Sequence, residues 1–112
     1  MFYLKAKKVL ENKKIIVTAG GTIQPIDPVR FIGNFSSGKM GIAIAREFRK
    51  YTKDVILIYG NISVRVPKRV HCIKTITVND MYSAIKKHFS DNTILVMAAA
   101  VSDFKVKKFF KS

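Results

Sequence analysis

The segment Asn34-Phe35-Ser36-Ser37-Gly38-Lys39-Met40-Gly41 holds the densest set of residues suited to handling an anion. Small hydroxyl residues and a glycine open a stretch of helical periodicity, so Ser36 or Ser37 would cap a helix whose first N–H groups point at one spot. The macrodipole favours negative charge there, Lys39 adds a cation, and Gly41 lets the helix approach a sheet closely. Residues 33–39 also spell G-x-x-x-x-G-K. A P-loop leaves its strand directly and follows the lysine with Ser or Thr to hold magnesium. Here Met40 follows, and a long connection precedes the motif, which argues against a P-loop ATPase. The dinucleotide fingerprint G-x-G-x-x-G is absent too.

Three further segments carry side chains or backbone of chemical interest. Gly20-Gly21-Thr22 lets the chain turn sharply and brings backbone close to a ligand, with Thr22 adding a hydroxyl; a plain turn explains it equally simply. The connection over residues 23–35 holds Asp27, Arg30 and Asn34. Arg30 offers a planar fork for phosphate or carboxylate, and Asn34 both a donor and an acceptor. Ala98-Ala99-Ala100-Val101-Ser102-Asp103-Phe104 combines small residues that leave room for a flat group with Asp103, suited to ribose hydroxyls or a cation. Alanines packed beneath a helix are the equal alternative. The lone cysteine, Cys72, beside His71, reads as a small buried hydrophobe rather than a nucleophile or metal ligand.

The elements that position these residues alternate along the chain. Lys14–Ala19 is a β-branched run ending at a glycine pair, the pattern of a strand buried on both faces. Residues 38–51 read as a helix with Met40, Ile44 and Phe48 recurring every fourth position. Residues 54–59 form a second buried strand and residues 70–75 a weaker one nearer an edge. Residues 77–89 read as a second helix, opened by a capping-box pair of Thr77 and Asp80 and striped by Met81, Ile85 and Phe89. Thr93–Met97 is the fourth strand. The order β-α-β-β-α-β predicts an α/β Rossmann-like parallel sheet with flanking helices and strand order 3-2-1-4. Ligands in such sheets bind beyond the carboxyl ends of the strands, where the segments above lie.

Composition narrows the classes. The chain has 112 residues, 48% of them apolar, which suits one folded domain and excludes a disordered tail. No apolar run reaches the roughly 18 residues of a membrane span, and the first residues lack the apolar core of a secretory signal. A single cysteine fits a reducing compartment, so the expected location is cytoplasmic. The balance of 21 Lys and Arg against 7 Asp and Glu, net +14, attracts polyanions. Most of these cations are lysines spread along the chain, which favours a solvated surface over a dedicated nucleic-acid patch.

Taken together, the blocks Val17-Thr18-Ala19-Gly20-Gly21-Thr22, Ile26-Asp27-Pro28-Val29-Arg30, Asn34 to Gly41 and Ala98 to Phe104 resemble phosphopantothenoylcysteine synthetase, the phosphopantothenate–cysteine ligase of coenzyme A biosynthesis. The resemblance runs from about Lys14 to Phe104. It implies that the carboxylate of 4′-phosphopantothenate attacks the α-phosphate of CTP, with Mg²⁺ on the triphosphate, to give an acyl-cytidylate. The cysteine amine then displaces CMP. The Ile-Asp-Pro-Val-Arg form implies CTP rather than ATP. By the same resemblance Asn34 and Arg30 secure the acyl intermediate. Met97, Ala98, Ala99 and Asp103 contact the nucleotide, while Gly20, Gly21, Thr22, Ser36, Ser37, Gly38 and Lys39 line the cleft.

The family is typically homodimeric and continues beyond this point into a lysine-rich flap and further strands. Residues 1–112 are therefore expected to be a single, incomplete nucleotide-binding domain: a fragment, a truncated reading frame, or one piece of a split enzyme whose partner would be a complementary C-terminal segment. With no decarboxylase domain ahead of Met1, no flavin is expected, and a decarboxylase would be a separate partner. Two other readings stay open: a basic Rossmann-like module that binds nucleic acid or another polyanion, and an inactive remnant of the ligase.

Overall fold

The computed structural model describes residues 2–25, 31–33 and 37–100. Helix α1 (Phe2–Leu10) precedes β1 (Lys14–Ala19); a short antiparallel pair, β2 (Ile23–Pro25) and β3 (Phe31–Gly33), follows. Helix α2 (Lys39–Arg49) leads to β4 (Val55–Tyr59) and β5 (His71–Lys74), and helix α3 (Val78–His88) to β6 (Thr93–Met97). The four long strands form one parallel sheet in the order β5-β4-β1-β6. In the chain order of those four strands this is 3-2-1-4, as the pattern predicts.

The strand periodicity of two sorts the core onto two faces. On one face Ile15, Val17 and Ala19 of β1 and Val55 and Leu57 of β4 meet Ile42 and Ala45 of α2. On the other, Ile16, Ile56 and Ile58 meet Met81 and Ile85 of α3. The register Ile15↔Val55 through Ala19↔Tyr59 keeps equivalent residues on the same side. Ile15, Ile16, Leu57 and Ile58 are fully buried, each worth about 1.5–3 kcal/mol of transfer free energy. These two central strands are the rigid base from which the site emerges.

Four local expectations need correction. Helix α1 is an element the sequence reading does not include. The long connection after β1 contains the β2–β3 pair rather than loop throughout. The buried face of α2 is Gly41, Ile42 and Ala45; Met40 is 71% exposed, with Ile44 and Phe48 only half-buried. Gly41 rather than Met40 faces the sheet because contact there is too close for a large side chain. Finally, Phe89 is the C-cap of α3 and exposed, so the stripe ends at Ile85. The predicted capping box holds: the Asp80 N–H donates to Thr77 Oγ1 at 3.1 Å and the Thr77 N–H to Asp80 Oδ2 at 3.2 Å.

Candidate functional site

The site begins where β1 ends. Gly20 has φ +81°, a conformation L side chains rarely adopt, and a Cβ there would stand 2.6 Å from both the Asn61 carbonyl oxygen and Ile62 Cγ2. Glycine is required twice over, by dihedral and by space. Gly21 then extends the pairing of β1 past both neighbours. Its N–H donates to Asn61 O at 2.9 Å and its carbonyl accepts from the Asn61 N–H at 2.8 Å. On the other side the Ala100 N–H donates to Gly20 O at 2.8 Å and the Thr22 N–H to Ala100 O at 3.1 Å. Thr22 is fully buried, so this residue anchors the turn from within. The glycine turn is thus laced between the ends of β4 and β6.

The start of α2 docks onto the same place. Its N-cap is Gly38, with φ +85°, and a Cβ there would lie 2.5 Å from Ile62 Cγ2 and 3.8 Å from the Gly20 nitrogen. The expected serine N-cap is therefore replaced by a left-handed glycine, because only glycine can bring the helix start this close to Ile62. Ser37 still contributes: its Oγ accepts from the Lys39 N–H at 3.3 Å, and its carbonyl accepts from the Ser63 N–H at 3.0 Å. Lys39 is exposed beside it. The result is a helix N-terminus, a cation and a glycine turn on one rim, an arrangement that favours an anion.

The end of β6 closes the set. Thr18 is fully buried; its Oγ1 accepts from the Ala99 N–H at 3.2 Å and donates to Met97 Sδ at 3.8 Å. The Ala98 N–H donates to Thr18 O at 3.2 Å. Met97 itself is 55% exposed, and Ala98, Ala99 and Ala100 are half-buried, leaving an apolar shelf beside the glycine turn.

Of the residues singled out from the sequence, the structure brings Gly20, Gly21, Thr22, Ser37, Gly38, Lys39, Met97, Ala98 and Ala99 to this single rim. Arg30, Asn34, Ser36 and Asp103 lie outside the described residues. Three contributors were not named as site residues. Asn61 and Ile62 join the glycine turn to the helix start, and a turn after β4 was the only hint of them. The Thr18 hydroxyl orients the Ala99 amide, and a lone threonine in an apolar strand was its signal.

The Cys72 thiol donates to Val70 O at 3.3 Å and Pro67 O at 3.6 Å, and burial raises its pKa above the ordinary thiol value, the opposite of what an activated nucleophile needs. Among the described residues no three His, Cys, Asp or Glu side chains gather to hold a metal.

A four-stranded parallel sheet in the order 3-2-1-4 with flanking helices, and a helix start and small-residue shelf at its carboxyl rim, defines an α/β domain of the Rossmann-like class. Comparison with known proteins gives the lineage: residues 10–112 match the family described as DNA/pantothenate metabolism flavoprotein C-terminal domain, and the chain belongs to that family. The coenzyme A biosynthesis bifunctional protein CoaBC of Mycolicibacterium smegmatis is 48% identical over 93 residues, 82% of this chain and 22% of that protein. The crystal structure of a CoaBC C-terminal domain is 40% identical with TM-score 0.73, covering 85% of this chain and 48% of that one. A Cab2 variant in complex with phosphopantothenate-cysteine shares the fold, with TM-score 0.69 at 21% identity over 92% of this chain and 52% of that one. The chain thus spans about a quarter of the curated relatives it matches and about half of the solved chains. Among the described residues no helix is long and apolar enough to cross a membrane.

Proposed function

We propose that this chain is part of a cytoplasmic phosphopantothenate–cysteine ligase, which activates 4′-phosphopantothenate with CTP and couples the acyl-cytidylate to cysteine. The observation that carries the reading is the convergence of Gly20-Gly21, Ser37-Gly38 and Ala98-Ala99-Ala100 on one rim of a sheet, in a member of this family.

The chemistry asks mainly for positioning and charge stabilisation. An amine cannot displace hydroxide from a carboxylate, so the acid must first carry a good leaving group. Holding carboxylate and α-phosphate together supplies the entropy, and preorganised donors stabilise the charge that develops. The start of α2 and Lys39 face the phosphates in this reading, and the alanine shelf takes the base or ribose, with Asp103 on the ribose hydroxyls. Asn34 donates to the acyl carbonyl as the cysteine amine attacks, and Arg30 secures the acyl intermediate or its phosphate. The described rim has no carboxylate for a divalent ion, so Mg²⁺ is assigned to the triphosphate's own oxygens and no step is routed through it.

The test incubates the chain with 4′-phosphopantothenate, Mg²⁺ and either CTP or ATP, with and without the remaining half of a CoaBC C-terminal domain. Pyrophosphate release with CTP in the complemented mixture is the expected result. No release in either mixture would reject the reading. In the complemented protein, Asn34→Ala should leave pyrophosphate release intact and slow cysteine-dependent product formation by about 10²-fold or more. Light scattering of the same mixture tests the expected homodimer.

A further inference from the structure

The opposite rim of the sheet, where the strands begin, has a different character. A hollow of about 360 Å³ between the end of α2 and the turn before β5 is lined by Arg46, Arg49, Lys50, Pro67, Lys68, Arg69 and Val70. Its lining holds five cations and no carboxylate. A second hollow of about 480 Å³ adjoins it through the shared Arg49 and Lys50 and adds Lys7, Lys13 and Lys53 against Glu11 and Asp54.

Structural duties account for little of this charge. Arg49 lines both hollows and uses its Nε to donate to Arg69 O at 3.1 Å, which pins the turn and leaves its other guanidinium N–H groups outside this bond. Lys50 pairs with Glu47 at 3.2 Å. Among the described residues Arg46, Lys68 and Arg69 make no ion pair. The C-terminus of α2 welcomes positive charge, but its dipole amounts to only about half an elementary charge. Five cations from two elements exceed that several-fold, and their mutual repulsion opposes folding. An anion seated there relieves it.

We infer that this amino-terminal rim is a docking surface for a phosphodiester chain, held through its backbone phosphates without reading its bases. Charge complementarity and extent select the occupant. Two adjoining hollows with cations from α1, the turn before β1, α2 and the turn before β5 span more than one phosphate. The five-cation hollow has no aromatic side chain to stack a base and the adjoining one has a single aromatic, Tyr51, so cations dominate the contacts and make them largely sequence-independent. The surface is separate from the Gly20–Gly38 rim, so it does not rest on the ligase reading.

Labelled single-stranded RNA and DNA of mixed sequence are titrated with the full chain by fluorescence anisotropy across a salt series. Arg46→Gln, Lys68→Gln and Arg69→Gln are combined in one variant. A control removes equal charge elsewhere, with Lys74→Gln, Lys86→Gln and Lys87→Gln. The Arg69 carbonyl that Arg49 uses survives its substitution, and thermal melting verifies both folds. Expected is binding of either polymer at low salt, weakened about tenfold or more in the first variant and under about twofold in the control. The log–log salt slope should shrink by about two to three, one step per lost phosphate contact. Equal losses in the two variants would reduce the effect to net charge and overturn the inference. So would absent binding at about 50 mM salt, or displacement by inorganic phosphate as effective as by polymer at equal phosphate concentration. Selective binding of RNA or DNA would uphold the surface and identify its source.

Discussion

Gly41 of α2 rests directly on Ala19 of β1: a Cβ built on Gly41 would overlap the Ala19 Cβ and stand 2.9 Å from the Thr18 carbonyl oxygen. This contact sets how close the helix lies to the sheet, and hence where its N-terminus meets the glycine turn. Gly41→Ala weighs two opposed terms. Helix propensity gains about 1 kcal/mol, while overpacking against backbone that cannot rotate away costs about 1–3 kcal/mol or more. The second should win, giving net destabilisation of up to about 2 kcal/mol, read as a lower denaturant midpoint at unchanged slope. A midpoint equal to or above the parent's would show that the helix can lift off the sheet at little cost.

The sequence made the sheet legible because β1 and β4 are short apolar runs rich in β-branched residues and closed by glycine, a pattern that suits strands buried on both faces. The Thr77–Asp80 cap was legible for a similar reason: its partners are three residues apart. What stayed hidden depends on contacts distant in sequence. Nothing local marks Gly38 as an N-cap, since its left-handed conformation answers to Ile62, beyond the whole of α2 and β4. The same holds for Met40, whose helical spacing suggested a core residue but whose position fell one step off the face that Ala19 permits. The candidate site was readable as blocks gathered at the carboxyl rim, because parallel strands end side by side; the hydrogen bonds joining Gly21 to Asn61 and Ala100 were not, because backbone makes them and any residue could.

Thr18 links the floor of the sheet to the alanine shelf. Thr18→Val keeps the shape and removes the oxygen that accepts the Ala99 N–H. A part-buried amide without its acceptor costs about 1–3 kcal/mol. The loss should be local as well as global: hydrogen exchange at Ala99 should quicken more than at Ile16 in the centre of β1. Thr18→Ser retains the acceptor and should preserve the protection of Ala99. Unaltered exchange at Ala99 in the valine variant would mean that another group holds the shelf.

The cap of α3 offers a cleaner energetic test. Thr77→Ala removes the oxygen that receives the Asp80 N–H, and Asp80→Ala removes the carboxylate that receives the Thr77 N–H. Each should destabilise by about 1 kcal/mol. The double variant should lose less than the sum, because the two halves of the box support each other. Strict additivity in urea melts would show that the two bonds act independently.

His88 makes stability depend on acidity. Its pKa lies below the ordinary histidine value, first through burial, then through repulsion from His71, Lys87 and Lys14, with Asp54 opposing. The His71 ring meets it edge-on at 5.9 Å between centroids, and the Lys14 ammonium donates to the His88 carbonyl at 2.9 Å. A base whose pKa falls on folding carries fewer protons in the native state than in the unfolded chain, so stability rises with pH across this interval. This contribution is present above the unfolded value near 6.5 and drains away as pH falls through it toward the lower native value. His88→Asn should flatten that dependence, bringing the variant's melting temperature closer to the parent's at pH 5 than at pH 7. His71→Asn removes the second cause and should flatten it in part. Parallel pH profiles for parent and His88→Asn would show that the imidazole carries its proton equally well in both states.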